Sequence, residues 1–267
     1  MEKKQSSPEK TTVSSTEKAL RILDCFTAER PELNLAQISQ QLNMPKSTVL
    51  NQIRTLEKAG FLYKSNTQYY RLGYKLIELS YRTQVSQPII AHAVPLLEEI
   101  TTATGENVYL TTHINGQVFV LKLLRSSNRS IAYSMSGRTL PMHCTGCGKA
   151  MLSYLPQEQV DDILNTWGMP AYTANTCTDR AKLMEELAQA REQGYALDNE
   201  EESIGGRCVA VAVRSSAGAV AGALSISGSV VSLTDDKIPE YVNMLRITAH
   251  KLMPYAHLFP ALQLKEV

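Results

Sequence analysis

The sequence predicts an α+β protein in two parts: a small helical module closed by a β-hairpin, then a larger domain of helices around an antiparallel sheet. Three observations carry that prediction. Near the N-terminus, helical stripes of apolar residues follow one another closely, and two β-prone runs around a polar turn come next. Farther on, helical stripes alternate with β-prone runs, one pair of which flanks Asn115-Gly116, a strong short hairpin signal. The charge divides along the same line. Residues 1–82 hold 13 Lys and Arg against 8 Asp and Glu, whereas residues 83–267 hold 14 against 18, for +1 overall. A basic first third suits a polyanion-binding module, although five excess charges can also be a solvated face.

The elements follow in order. Residues 1–13 are polar and aperiodic and read as a disordered tail. Ser14 and Glu17 make the S-x-x-E pattern of a capping box. Ala19, Ile22, Leu23 and Phe26 form the i, i+3, i+4, i+7 stripe of an amphipathic helix, which Pro31 ends. A second short helix carries Leu35, Ile38 and Leu42. Asn43-Met44-Pro45 is a tight turn, and a third helix runs over 45–59 with Gly60 just past its end. Segments 61–64 and 69–72 flank the polar turn 65–68 as a hairpin. Residues 73–84 return to helix, and 84–88 mark a domain boundary. Beyond it, helices are predicted over 89–104, 146–155, 157–165, 180–193 and 235–255, and strands over 107–113, 117–124, 131–136, 207–213 and 220–227.

Helix, short helix, turn, longer helix and hairpin is the order of a winged helix-turn-helix. At about 100° per residue, Val49, Ile53 and Leu56 share one face of the third helix, and Ser47, Asn51, Arg54 and Lys58 share the opposite one. These polar types suit a major groove: Arg can bond guanine, Asn can pair with adenine, and Ser can reach base or phosphate. Lys46 and Thr48 lie in the first turn, where side chains and free N–H groups can meet phosphate. Lys64 and Arg71 in the hairpin would touch the backbone beside the groove. The bland alternative is an ordinary helical subdomain with a polar face.

The stretches S-S-T-E-K-A-L-R-I-L-D-C-F, L-A-Q-I-S-Q-Q-L-N-M-P-K-S-T-V-L-N-Q-I-R-T-L-E-K-A-G-F-L and Y-Y-R-L-G-Y-K-L-I-E-L closely resemble the IclR family of bacterial transcriptional regulators. The resemblance continues through R-T-L-P-M-H-C-T-G-C-G-K-A-M-L, A-R-E-Q-G-Y-A-L-D-N-E-E and the run from Gly206 through Cys208 to G-A-L-S-I-S-G, and spans roughly residues 14–255. It implies a winged-helix DNA-binding domain over 14–72, a linker helix over 73–87 and a GAF-like effector-binding domain over 88–258, with a tail at 259–267. It further implies homodimers or homotetramers on operator DNA, and a repressor of genes for uptake or breakdown of small carbon compounds.

On a strand, Ala223, Ser225 and Ser227 share one face while Leu224 and Ile226 share the other. Two neighbouring hydroxyls can clasp a carboxylate, carbonyl or hydroxyl ligand, or simply bond nearby backbone or water. The resemblance implies a small-ligand pocket built from Gly146, Cys147, Asp198, Cys208, Ser225 and Ser227. The 146–147 loop can offer backbone N–H groups at a helix start, and Asp198 can accept from a ligand hydroxyl or N–H. Otherwise Asp198 belongs to a solvated acidic run and Cys208 is a small core residue. Cys147 departs from the family's Ala, and Arg214-Ser215 departs from its usual pattern after the strand. The implied effectors are small oxo-acids, sugar acids or aromatic acids.

Other classes fit less well. His143-Cys144-Thr145-Gly146-Cys147 offers three soft ligands, but a zinc site wants about four and no second paired motif exists. Ser15 and Lys18 match S-x-x-K at a helix start, where capping explains them. No G-x-S-x-G, H-E-x-x-H or G-x-G-x-x-G occurs, and Gly148-Lys149 lacks the rest of a P-loop, so neither an enzyme nor a cofactor is expected. No apolar run approaches the ~18 residues of a membrane span, and the N-terminus has no export signal, so the expected location is the cytoplasm. Five Cys at irregular spacing fit reduced thiols.

Overall fold

The computed structural model describes residues 13–65, 68–126 and 136–259. Residues 1–12, all but the last residue of the strand expected over 131–136, most of the C-terminal tail and the tip of the first hairpin lie outside them. The chain divides into two units between Ser86 and Gln87.

In the first unit, α1 (Ser14–Leu23), α2 (Leu35–Leu42) and α3 (Lys46–Lys58) precede the antiparallel pair β1 (Leu62–Lys64) and β2 (Tyr70–Leu72), and α4 (Lys75–Ser86) follows. Ile22, Ile38, Val49, Ile53 and Leu62 are fully or almost fully buried together, so the apolar stripes of all three helices meet in one core. Leu33 and Tyr70 exchange backbone hydrogen bonds of 3.1 and 2.8 Å, adding a one-residue bridge to the hairpin's edge. Asn34 and Gln37 form a reciprocal capping box at the start of α2, with side-chain bonds of 3.0 and 2.8 Å. Asn43, at φ +50°, ends α2 in the left-handed region and turns the chain into α3.

Two expectations for α1 fail. Ser14 is already its first helical residue, so Val13, whose side chain has no acceptor, occupies the cap and makes no side-chain cap bond. The helix also stops at Leu23, well before Pro31. Cys25 and Phe26 then bond back to Ile22 and Leu23 with i→i−3 spacing, and that tighter turn is what carries Phe26 into the core.

The second unit contains α5 (Pro88–Thr104), β3 (Asn107–Ile114), β4 (Gln117–Leu124), β5 (Thr139–Leu140), α6 (Gly146–Leu152), α7 (Gln157–Trp167), α8 (Arg180–Gln193), β6 (Ala196–Asn199), β7 (Gly206–Arg214), β8 (Val220–Ser229) and α9 (Ile238–Leu252). Among the described residues these strands form one antiparallel sheet in the order β5-β4-β3-β8-β7-β6. Asn115 (φ +50°) and Gly116 (φ +76°) make the left-handed two-residue turn between β3 and β4. One sheet face presents Val108, Leu110, Val209, Val211, Leu224 and Ile226 to α5 and α9. The other presents Ala210 and Ala223 to α6 and its neighbours, and these small residues leave room above the strands.

The sequence reading misses β5 and β6 and overextends two helices. α6 ends at Leu152 rather than 155, because Tyr154 and Leu155 bond only three residues back. The closing helix is α9 flanked by 3₁₀ turns at Asp235–Lys237 and Met253–Leu258. Phe259, assigned to the tail, is buried in the core, where its ring lies so close to Gly222 that a Cβ there would meet it at 2.6 Å.

Candidate functional site

Two places gather the chemistry. The first is the outer face of α3. Ser47, Asn51, Arg54 and Lys58 are all exposed there, opposite the buried Val49, Ile53 and Leu56. Lys46 is exposed and Thr48 half-buried in the first turn. No side-chain cap occupies the first-turn N–H groups, since the cap residue is Pro45. In the hairpin, Lys64 is exposed and stands 6.0 Å from the Tyr70 ring. Arg71 is exposed but its guanidinium is paired with Glu32, so its charge is already partly answered.

The second is a cavity of about 90 Å³ in the second unit. Its lining includes Gly146, Cys147, Asp198, Cys208, Ser225 and Ser227. The sheet register explains why residues so far apart in sequence converge. Asp198, Cys208 and Ser227 are cross-strand neighbours on β6, β7 and β8, forming one row. The next row holds Ala196, Ala210, Ser225 and Tyr109. α6 sits above both rows with its N-terminal turn against β7, so closely that a Cβ on Gly146 would lie 2.9 Å from Cys208 Sγ. Thr145 caps α6 by accepting from Gly148 N–H at 3.2 Å. Tyr109, Thr111, Thr145 and Glu202 line the cavity as well, and the sequence reading does not find them. Tyr109 faces Ser225 across β3 and β8, a relation only the register reveals.

Asp198 is not a solvated member of its acidic run: it is 8% exposed. Its Oδ1 accepts from the backbone N–H of Glu201 at 2.8 Å and of Glu202 at 3.3 Å. Burial nevertheless dominates and pushes its pKa up to about 7. Burial also drives Tyr109 up to about 12 and the Cys208 thiol well above its ordinary value, so both stay protonated donors near neutrality. Cys147 is likewise raised by burial, against hydrogen bonds to Ser225 and Thr111. Among the described residues, the lining holds two carboxyl groups, five hydroxyls and two thiols, and no Lys or Arg. One water needs roughly 15 Å³, so the cavity has room for a small ligand.

Lys149, the P-loop-like lysine, is buried in an ion pair with Glu201 and lies 3.1 Å from Glu186. The His143 ring is 3.1 Å from the Pro170 carbonyl, and Cys144 is fully buried. Among the described residues, no three His, Cys, Asp or Glu are arranged to hold a metal ion, and no helix is long and apolar enough to cross a membrane.

Residues 15–65 match the family described as IclR helix-turn-helix domain, and residues 82–253 match the family described as bacterial transcriptional regulator IclR C-terminal. The chain is 36% identical over 225 residues to the HTH-type transcriptional regulator XynR of Escherichia coli K12, covering 84% of this chain and 89% of the relative. It is 32% identical over 242 residues to the regulator KdgR of the same organism, covering 90% and 92%. A solved IclR-type transcriptional regulator from Alicyclobacillus acidocaldarius superposes with a TM-score of 0.82 at 25% identity, covering 92% of this chain and all of that one.

Proposed function

The chain belongs to the IclR family of bacterial transcriptional regulators, a ligand-responsive DNA-binding regulator and not an enzyme, and on that premise we propose how its two sites divide the work. The observation that carries the DNA-reading half is the exposed stripe Ser47, Asn51, Arg54 and Lys58, presented by a helix whose opposite face is wholly buried. That stripe enters the major groove, with Arg54 and Asn51 reading base edges. Lys46, Thr48, Lys64 and, after exchanging Glu32 for phosphate, Arg71 hold the backbone. Selection of a duplex site from random sequence, followed by fluorescence anisotropy at fixed salt, tests this. Arg54→Ala lowers affinity by about 1–3 kcal/mol, and an unchanged isotherm removes Arg54 from the reading set.

The cavity is the effector site, and its occupant is a small hydroxylated acid. With no Lys or Arg among the described lining residues, the neutral donors that meet the ligand's carboxylate are the Ser225 and Ser227 hydroxyls, the first-turn N–H groups of α6 and the protonated form of Asp198. Ligand hydroxyls then pair with Glu202. Effector binding favours one state of the second unit, and α4 carries the bias to the reading head. Ser225→Ala combined with Ser227→Ala abolishes the response of operator binding to effector while sparing binding itself. The effector comes from a thermal-shift screen of hydroxy acids and sugar acids. A double variant that releases DNA normally on effector addition would place those serines outside the site.

The reading head works as a homodimer. Tyr74, Ile77 and Tyr81 lie on one stripe leading into and along α4 and are 78%, 66% and 68% exposed, while Leu20 and Leu72 add further apolar surface to the same unit. Their burial against a second copy pairs two α3 helices for a two-fold operator. The protein acts as a repressor of a small-carbon-compound operon, in the cytoplasm where its operator lies.

A further inference from the structure

A second, larger recess in the second unit is unlike the effector cavity in every respect. It is an open groove of about 590 Å³ around the hairpin tip between β7 and β8. Its polar lining is cationic or neutral: Arg214, Arg246, His250, Tyr154 and the turn serines Ser215 and Ser216. Among the described residues, no Asp or Glu lines it, although residues 83–267 hold 18 acids against 14 bases. Arg191 adds a third guanidinium at the margin, 5.9 Å from the Tyr154 ring. Among the described residues, none of these three arginines forms an ion pair with a carboxylate.

The guanidiniums are held rather than trailing in solvent. Arg214 lies over the Tyr154 ring at 4.1 Å from its centroid, a cation–π contact that fixes the plane of the fork. Arg246 donates to the Gln193 carbonyl, which anchors one end of its fork beside Gly194. Like charges gathered without a counter-charge repel one another, a cost the fold does not recover by itself. Planar forks match phosphate oxygens in pairs. A monocarboxylate would answer one of the two lining charges, whereas a phosphate monoester dianion answers both and leaves its organic part free to fill the groove.

We propose that this groove, lined by Arg214, Arg246 and Tyr154 with Arg191 at its margin, is a second small-molecule site, specific for a phosphate monoester. It lies apart from the effector cavity, with which it shares no lining residue. It does not depend on the assignment of that cavity or of α3.

Isothermal titration of the full-length chain with glycerol 3-phosphate, inorganic phosphate and glycerol tests it. The expected result is saturable binding of one glycerol 3-phosphate per chain, competition by inorganic phosphate and no heat from glycerol. Arg214→Ala with Arg246→Ala weakens binding by about tenfold or more, while Arg180→Ala, on an exposed arginine paired with Asp161, leaves it intact. The substituted arginines are exposed, and an unchanged thermal midpoint verifies folding. Absence of saturation at low-millimolar ligand, or an unaltered isotherm in the double variant, overturns the proposal. So does weakened binding to duplex DNA, which assigns the groove to nucleic acid, or an altered sedimentation mass, which assigns it to a contact between copies.

Discussion

Lys149→Ala is expected to destabilise the second unit by about 3–5 kcal/mol, the usual cost of removing one partner from a buried ion pair. Lys149 is 5% exposed and Glu201 7%. Burial works against the Lys149 charge, but the carboxylates of Glu201 and Glu186 outweigh it and hold its pKa above the ordinary lysine value. Among the described residues, Glu201 Oε2 already lacks a hydrogen-bond partner, so without the ammonium the whole carboxylate is stranded. Glu186 is 30% exposed and can turn to water. At roughly 2–4 °C per kcal/mol for a unit of this size, the thermal midpoint falls by roughly 6–20 °C.

The loss reaches the cavity proposed to hold the effector. Glu201 N–H is one of the two donors to Asp198, and Thr176 and Thr173 hold the Glu201 and Glu200 carbonyls at 2.6 Å. Freeing the Glu201 side chain loosens the strap that fixes Asp198. The compensated pair Lys149→Met with Glu201→Gln tests whether the lost charge balance is responsible, because replacing both ions by neutral groups is often close to neutral in energy. A single variant that loses less than about 1 kcal/mol would mean that Glu201 finds solvent in the folded state.

Some of this was legible in the chain and some was not, for physical reasons. The face of α3 could be read because helical period alone separates Val49, Ile53 and Leu56 from Asn51 and Arg54. The sharing of a face by Ser225 and Ser227 followed in the same way from the two-residue period of a strand. Asp198 and Tyr109 resisted. Asp198 sits on a four-residue strand inside an acidic run, where composition suggests a solvated loop and only pairing with β7 shows burial. Tyr109 reaches the cavity through register with Ser225, and register depends on contacts more than a hundred residues apart in sequence. Lys149 is the clearest case: its partners stand 37 and 52 residues away, so no local pattern distinguishes it from a surface lysine. The charged face of the groove was likewise visible only as Arg214-Ser215 and could not be joined to Arg246 or Arg191 before the fold brought them together.

Asp198→Asn is expected to convert a pH-dependent protein into a nearly pH-independent one at this position. The carboxyl titrates near 3.8 in an unconstrained chain and near 7 when buried in the cavity. Between those values the native state retains a proton that the unfolded state has released, so stability declines as pH rises through that window and levels off above it. The shift sets an upper bound of about 4 kcal/mol on the decline. Asparagine carries no charge to bury and keeps the oxygen that accepts from Glu201 and Glu202, so the variant gains on the parent as pH rises. The two should be equally stable near pH 4, with the variant ahead above pH 7. Denaturant unfolding of both proteins at several pH values isolates this group, because every other titration is common to the pair. With the effector in this cavity, as proposed, its binding follows the same proton. If protonated Asp198 donates to the ligand carboxylate, parent affinity falls by about tenfold per pH unit above 7, whereas the amide of the variant donates at every pH and its affinity stays flat. A stability difference that does not change with pH would show the carboxylate to be solvated in the native state, and the donor role would fall with it.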